Sequence, residues 1–144
     1  MANCIAAVTL LVRDYDEAIA FFTQALRFEQ IEDTPLGAGK RWVVVAPQRS
    51  QTRLLLAKAS TPEQGRQISN QTGGRVFLFL HTENFWEDYH HLQSHEVHFT
   101  EEPRQEAYGL VVVFQDLYGN KWDLVQPQQL PPDTEEPEAK QQRV

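Results

Sequence analysis

Five histidines, one cysteine and twenty acidic side chains are the chain's stock of groups for acid–base, nucleophilic or metal chemistry. His81 closes an apolar run from Val76 to Thr82 and shares period-two parity with Phe77 and Phe79. These three are expected to point into a cavity while Val76, Leu78 and Leu80 pack on helices. An imidazole so placed can act as acid, base or hydrogen-bond donor, and at a strand's end it can equally be half solvated and bonded to a loop. Asp123 alternates with Trp122 and Leu124, and parity puts it on the same inward side. A carboxylate there orients a ligand's amine or hydroxyl, or pairs with a basic side chain such as Arg53. His81 and Asp123 are the candidate catalytic residues.

Other groupings carry less chemistry. His91 and His95 have the i, i+4 spacing of a zinc site on a helix, but no acidic third ligand follows at a motif spacing, so they read as helix-surface histidines. Cys4 stands alone at the start of an apolar strand, and neither a nucleophile triad nor a phosphate-binding glycine loop is present. Trp42, Phe77, Phe79, Tyr108 and Phe114 can line an apolar pocket, although Trp42 and Phe114 fit the core equally well. Gly119 and Asn120 belong to a hairpin turn that needs a positive backbone angle.

The elements that must hold these residues come in a repeating order. An apolar stretch from Ile5 to Val12 reads as a strand buried on both faces. Asp14, with Glu17 three residues on, caps a helix through about Leu26 whose apolar positions are Ala18, Ile19, Phe22, Ala25 and Leu26. Strands follow at 28–35, 41–46 and 53–57, and Thr61-Pro62 opens a connecting helix before Gly73-Gly74. A strand at 76–82, a helix capped by Asn84 and strands at 97–102, 108–115 and 121–126 then repeat the βαβββ pattern. A shift of 70 residues sets Val8 on Leu78, Asp14 on Asn84 and Phe22 on Leu92.

The expectation is one α+β domain over residues 3–127, made of modules at about 3–58 and 74–126, with a disordered Pro-, Gln- and Glu-rich tail at 128–144. Thirteen basic against twenty acidic residues give a net charge of −7, which repels a nucleic-acid backbone, and no basic patch offsets it. No apolar run is long enough for a membrane span, and the single cysteine forms no intramolecular disulfide, so a cytoplasmic location is expected.

Val8-Thr-Leu-Leu-Val-Arg-Asp-Tyr-Asp-Glu-Ala-Ile-Ala-Phe-Phe22 and Asp116-Leu-Tyr-Gly-Asn-Lys-Trp-Asp-Leu124 resemble the opening and closing signatures of the vicinal oxygen chelate superfamily, the group of glyoxalase I, bleomycin resistance proteins, extradiol dioxygenases and fosfomycin resistance enzymes. The resemblance implies paired βαβββ modules curled into a half-open barrel, a homodimer, and a cavity for a small molecule. In the family's metal-using members that cavity holds a divalent ion through a His or Gln on each first strand and a Glu near each last one. Here those places fall on Ala7, on Phe77, on Arg53 or Leu54, and on Asp123, the one position that keeps a donor. No cofactor and no metal are therefore expected.

The reading that follows is a glyoxalase- or bleomycin-resistance-like protein that binds a small molecule without the family's metal, with Arg53, Phe77, Phe79, His81, Asp123, Trp42 and Tyr108 as its ligand-binding set. Whether it is an enzyme stays open, the alternative being a lyase, isomerase or dioxygenase acting on a small carbonyl or aromatic compound. A third reading is a scaffold that docks another protein around Trp86 and Tyr89.

Overall fold

In the computed structural model, which describes residues 2–128, the chain runs twice through one strand–helix–three-strand unit. The first unit comprises β1 (Ala7–Val12), α1 (Tyr15–Ala20), β2 (Glu29–Gly37), β3 (Lys40–Ala46) and β4 (Arg53–Lys58). A short helix α2 (Pro62–Gln67) leads to the second unit, made of β5 (Leu78–His81), α3 (Phe85–Ser94), β6 (Arg104–Glu106), β7 (Gly109–Gln115) and β8 (Lys121–Pro127). Each unit forms a four-stranded mixed sheet, in the orders β1-β4-β3-β2 and β5-β8-β7-β6. The first and last strands of each unit pair in parallel. This is the paired βαβββ architecture expected of an α+β domain. The tail expected at 128–144 lies, beyond Gln128, outside the described residues.

The helix caps follow the sequence only in part. Asp14 accepts the Glu17 backbone N–H at 2.9 Å and Thr61 accepts that of Gln64 at 3.1 Å, with Pro62 in the first helical turn. Asn84 occupies the cap position of α3 without a side-chain cap bond. Gln126 Oε1 accepts the Phe85 N–H instead, at 2.8 Å. The first helix is regular only to Ala20 and widens into a π-type segment at Phe21–Ala25, which keeps Phe22 and Ala25 buried.

Two strand expectations need correction. Strand β1 is not buried on both faces. It is an edge strand in which Leu10 and Val12 are buried, Val8 is half-buried, and Ala7 and Thr9 are exposed, because only one face meets the helices. The strand expected at 97–102 is reduced to one bridge from Phe99 to Phe114, and the paired segment is Arg104–Glu106. Cys4 is exposed and precedes β1.

One core runs through both units. Leu10, Val12, Val43, Val45 and Leu56 of the first share a cluster with Phe85, Val112, Phe114 and Leu124 of the second. Aromatic rings make the joint: Phe22 stacks on Phe28 at 5.8 Å and lies 5.9 Å from Trp122, which stacks on Phe114 at 5.8 Å. Polar groups fasten the same joint from outside. The Asp116 carboxylate accepts the backbone N–H groups of Tyr118 and Asn120 and the Trp122 indole N–H, at 2.9, 3.0 and 3.0 Å. It thereby shapes the turn before β8, where Gly119 has φ +89°. From that turn the Tyr118 hydroxyl donates to Glu17 at 2.8 Å, and Asn120 Nδ2 donates to the Ile68 carbonyl at 2.8 Å. Gln71 completes the clasp: its backbone N–H donates to Asn120 Oδ1 at 3.1 Å, and its Nε2 donates to the Leu11 carbonyl at 3.0 Å.

Candidate functional site

Strand register decides which side chains can meet. Val112, Phe114, Trp122 and Leu124 belong to the core, so their neighbours Val111, Val113, Asp123 and Val125 occupy the opposite face of the second sheet. On that face Phe79, Asp123 and Val113 form one cross-strand row, and His81, Val125, Val111 and Arg104 form the next. Phe79 is 59% exposed while Asp123 is only 9% exposed. His81, Phe79 and Asp123 thus share one surface, with His81 one row away from the other two.

The corresponding face of the first sheet carries Trp42 and Arg53. Arg53 pairs in register with Ala7, and Trp42 with Thr34. Counting along the parallel pairs corrects the sequence alignment. Val8 faces Leu54 as Leu78 faces Trp122, and Thr9 faces Leu55 as Phe79 faces Asp123. The counterpart of Asp123 is therefore Leu55, and Arg53 matches Lys121. The uncertain step was the connection before the last strand, Pro47–Thr52 in one unit and Asp116–Asn120 in the other, which differ in length. No ion pair joins Arg53 to Asp123; the cation acting on Asp123 is Arg104. Phe77 stands just before β5, half-buried against the core with its ring edge-on to Trp122 at 6.3 Å. Tyr108 is partly exposed in the β6–β7 hairpin.

Charge on the second sheet is arranged around Arg104. Its Nε donates to Glu101 at 3.0 Å and its Nη1 donates to Glu106, and these hydrogen bonds raise its pKa. Oδ1 of Asp123 is buried and has no hydrogen-bond partner among the described residues. Burial pushes the Asp123 carboxyl above its ordinary range against the pull of Arg104, and Glu101 adds to the push. Sequence reasoning missed Arg104, Glu101 and Glu106, because a strand placed at 97–102 took in Glu101 as a strand position and left Arg104 and Glu106 in a loop; the alternation of Arg104 and Glu106 was the available signal.

A cleft of about 380 Å³ opens at the seam between the two units. Its walls are Val8 of β1, Leu54 of β4, Leu78 to His81 of β5, Trp122 of β8 and Phe28, and the segment between Pro47 and Thr52 forms its rim. This is the low end of small-molecule sites, which span about 300–1,000 Å³. Phe79 and His81 are the two expected site residues that border it; Val8, Phe28 and Leu54 read in sequence only as strand or core positions.

The donors for a divalent ion do not converge. Ala7, Leu55 and Phe77 offer no lone pair at three of the four relevant strand positions, which leaves Asp123 by itself. Among the described residues no group of three His, Cys, Asp or Glu side chains could hold a metal ion. His91 and His95 have ring centroids 4.5 Å apart, and His91 Nε2 lies 2.8 Å from the Gln24 carbonyl, so that ring is tied to α1's extension. No helix among the described residues is long and apolar enough to cross a membrane.

Comparison with known proteins gives three kinds of relative. The family model described as Glyoxalase/Bleomycin resistance protein/Dioxygenase superfamily matches residues 5–124. An uncharacterized protein of Shewanella frigidimarina is 52% identical over 128 residues, covering 88% of this chain and 95% of its own. Among solved structures, UcmS2 is 31% identical with a TM-score of 0.75, over 87% of this chain and 98% of that one. TnmS3, described as an antibiotic binding protein from Streptomyces sp. CB03234, is 26% identical with a TM-score of 0.71, over 88% and 98%.

Proposed function

We propose that this chain, which belongs to the Glyoxalase/Bleomycin resistance protein/Dioxygenase superfamily, binds a small, largely apolar organic molecule at the seam of its two units and does so without a divalent ion. The observation that carries this reading is the pairing of a retained apolar cleft with lost metal donors. Val8, Leu54, Leu78 and Trp122 keep a space open, while the family's ligand positions hold Ala7, Leu55 and Phe77. A relative of the same fold described as antibiotic binding supports the binding reading. In the same reading the protein is a cytoplasmic homodimer.

The test uses intrinsic tryptophan fluorescence, to which Trp122 in the cleft wall contributes, titrated with a panel of neutral and cationic polycyclic aromatics. Saturable quenching without turnover is expected, and Leu54→Phe, which narrows the cleft without adding a fluorophore, should weaken it. Stoichiometric zinc or manganese retained after dialysis, and lost in Asp123→Ala, would overturn the metal-free reading. Light scattering that gives one chain's mass would overturn the dimer.

A further inference from the structure

We propose that the face of the second sheet opposite the core is a subsite for a protonated amine, with Asp123 as its counter-ion, Phe79 as the aromatic surface beside it, and Arg104 held aside by Glu101 and Glu106. The inference rests on the binding reading above and names the chemical class of the ligand's polar end.

The first support is Asp123 itself. Its Oδ1 is buried, no donor among the described residues reaches it, and register places it between Phe79 and Val113 on the face away from the core. A buried carboxylate without donors is costly, and the cost is removed when an N–H donor or a cation arrives. The second support is that the nearby cation is already engaged. Arg104 spends Nε on Glu101 and Nη1 on Glu106, and no hydrogen bond runs from it to Asp123. It acts on Asp123 only through its field.

The sign of the site follows from its members. Glu101, Glu106 and Asp123 set three carboxylates against one guanidinium. Lys121, two residues before Asp123 on the same face, is exposed, and His81 occupies the next row. Apart from His81, three carboxylates against the Arg104 guanidinium and the Lys121 ammonium leave an excess of one negative charge, which disfavours anionic ligands. Phe79 fits the same class, since an exposed ring directly beside an unpartnered carboxylate offers a cation its π-face. An alcohol could satisfy Oδ1 with one hydrogen bond, but it gains nothing from the surplus charge or the ring.

The experiment compares phenethylamine with 2-phenylethanol, two molecules that differ only at the polar end, by ¹H–¹⁵N chemical-shift titration of the full chain at pH 7. The amine is expected to shift amides of β5, β7 and β8 and to bind about tenfold or more tightly than the alcohol, the usual gain of a charge-assisted bond. Asp123→Asn should erase that preference while the spectrum stays folded. Should that variant fail to fold, benzyltrimethylammonium, whose charge does not titrate, provides the second measurement: its affinity for the unaltered chain should rise with pH as Asp123 ionises. Equal affinity for amine and alcohol, or a preference that survives Asp123→Asn, overturns the amine subsite and leaves the cleft reading intact. Failure of every compound in the broader aromatic panel to saturate would overturn the cleft reading as well.

Discussion

Asn120→Ala tests whether the closing signature of the chain is a fastener rather than part of a site. The side chain is buried and bridges the turn before β8 to the linker: Nδ2 donates to the Ile68 carbonyl at 2.8 Å, and Oδ1 accepts the Gln71 N–H at 3.1 Å. The turn itself should survive, because the Asn120 backbone N–H still reaches Asp116 at 3.0 Å and Trp122 Nε1 still reaches the other carboxylate oxygen at 3.0 Å. These two bonds at about 1 kcal/mol each, a longer third from Nδ2 to Asp116 Oδ1 at 3.4 Å, and part of the penalty for leaving Gln71 N–H and Ile68 C=O unpaired come to about 2–3 kcal/mol. At about 2.1 cal/mol/K of unfolding entropy per residue, that lowers the melting temperature of a fold this size by about 7–11 °C. Thermal unfolding followed by circular dichroism at pH 7 reads the shift. Gln71→Ala, which frees the linker from Leu11, should couple to it by at least about 0.5 kcal/mol in a double-mutant cycle, since both act on one clasp. A drop of less than about 2 °C, smaller than even one net hydrogen bond implies, or strict additivity, would refute the reasoning.

Two further outcomes follow from single positions. Because burial raises the Asp123 carboxyl in the fold, the native chain binds that proton more tightly than the unfolded one. Its contribution therefore makes stability fall as pH rises from the unfolded carboxyl's range through the folded pKa, and is level above it. Urea unfolding between pH 3 and 7 should show Asp123→Asn flattening this limb, and a variant with the parent's full pH dependence would contradict the assignment. Gly109→Ala should cost more than about 2 kcal/mol, because an added Cβ would sit 2.1 Å from the Gln126 carbonyl oxygen at a φ of +141° that side chains rarely adopt; an unchanged melting temperature would sink that account.

Much of the architecture could be read from residue order because the signals were local. The cap at Asp14, the cap and proline at Thr61-Pro62, the turn at Gly119 and the alternation of Trp122 and Leu124 each act within a few residues. What escaped was set by distant partners. Nothing near Ile5–Val12 says that β1 ends up at an edge, and no local signal marks the π-type segment at Phe21–Ala25, whose Phe22 meets Trp122, a hundred residues away. The site was legible in its axis, Phe79 and Asp123 on one face, but not in its surroundings. Counting through a loop matched Asp123 to Arg53 or Leu54, whereas strand pairing, which tolerates unequal loops, matches Leu55.

The duplication also explains why the second unit alone carries a polar subsite. Equivalent rows hold Thr9, Leu55 and Val44 in the first sheet and Phe79, Asp123 and Val113 in the second, so two copies of one frame have diverged to an almost wholly apolar row and to a row built around a buried charge. A buried unpartnered carboxylate lowers stability wherever it sits, and the first unit shows that the frame folds with leucine in its place. Asp123 is therefore not required by the packing. Its retention is accounted for by something outside the fold that supplies the missing donor, which is the role the amine subsite assigns to the ligand.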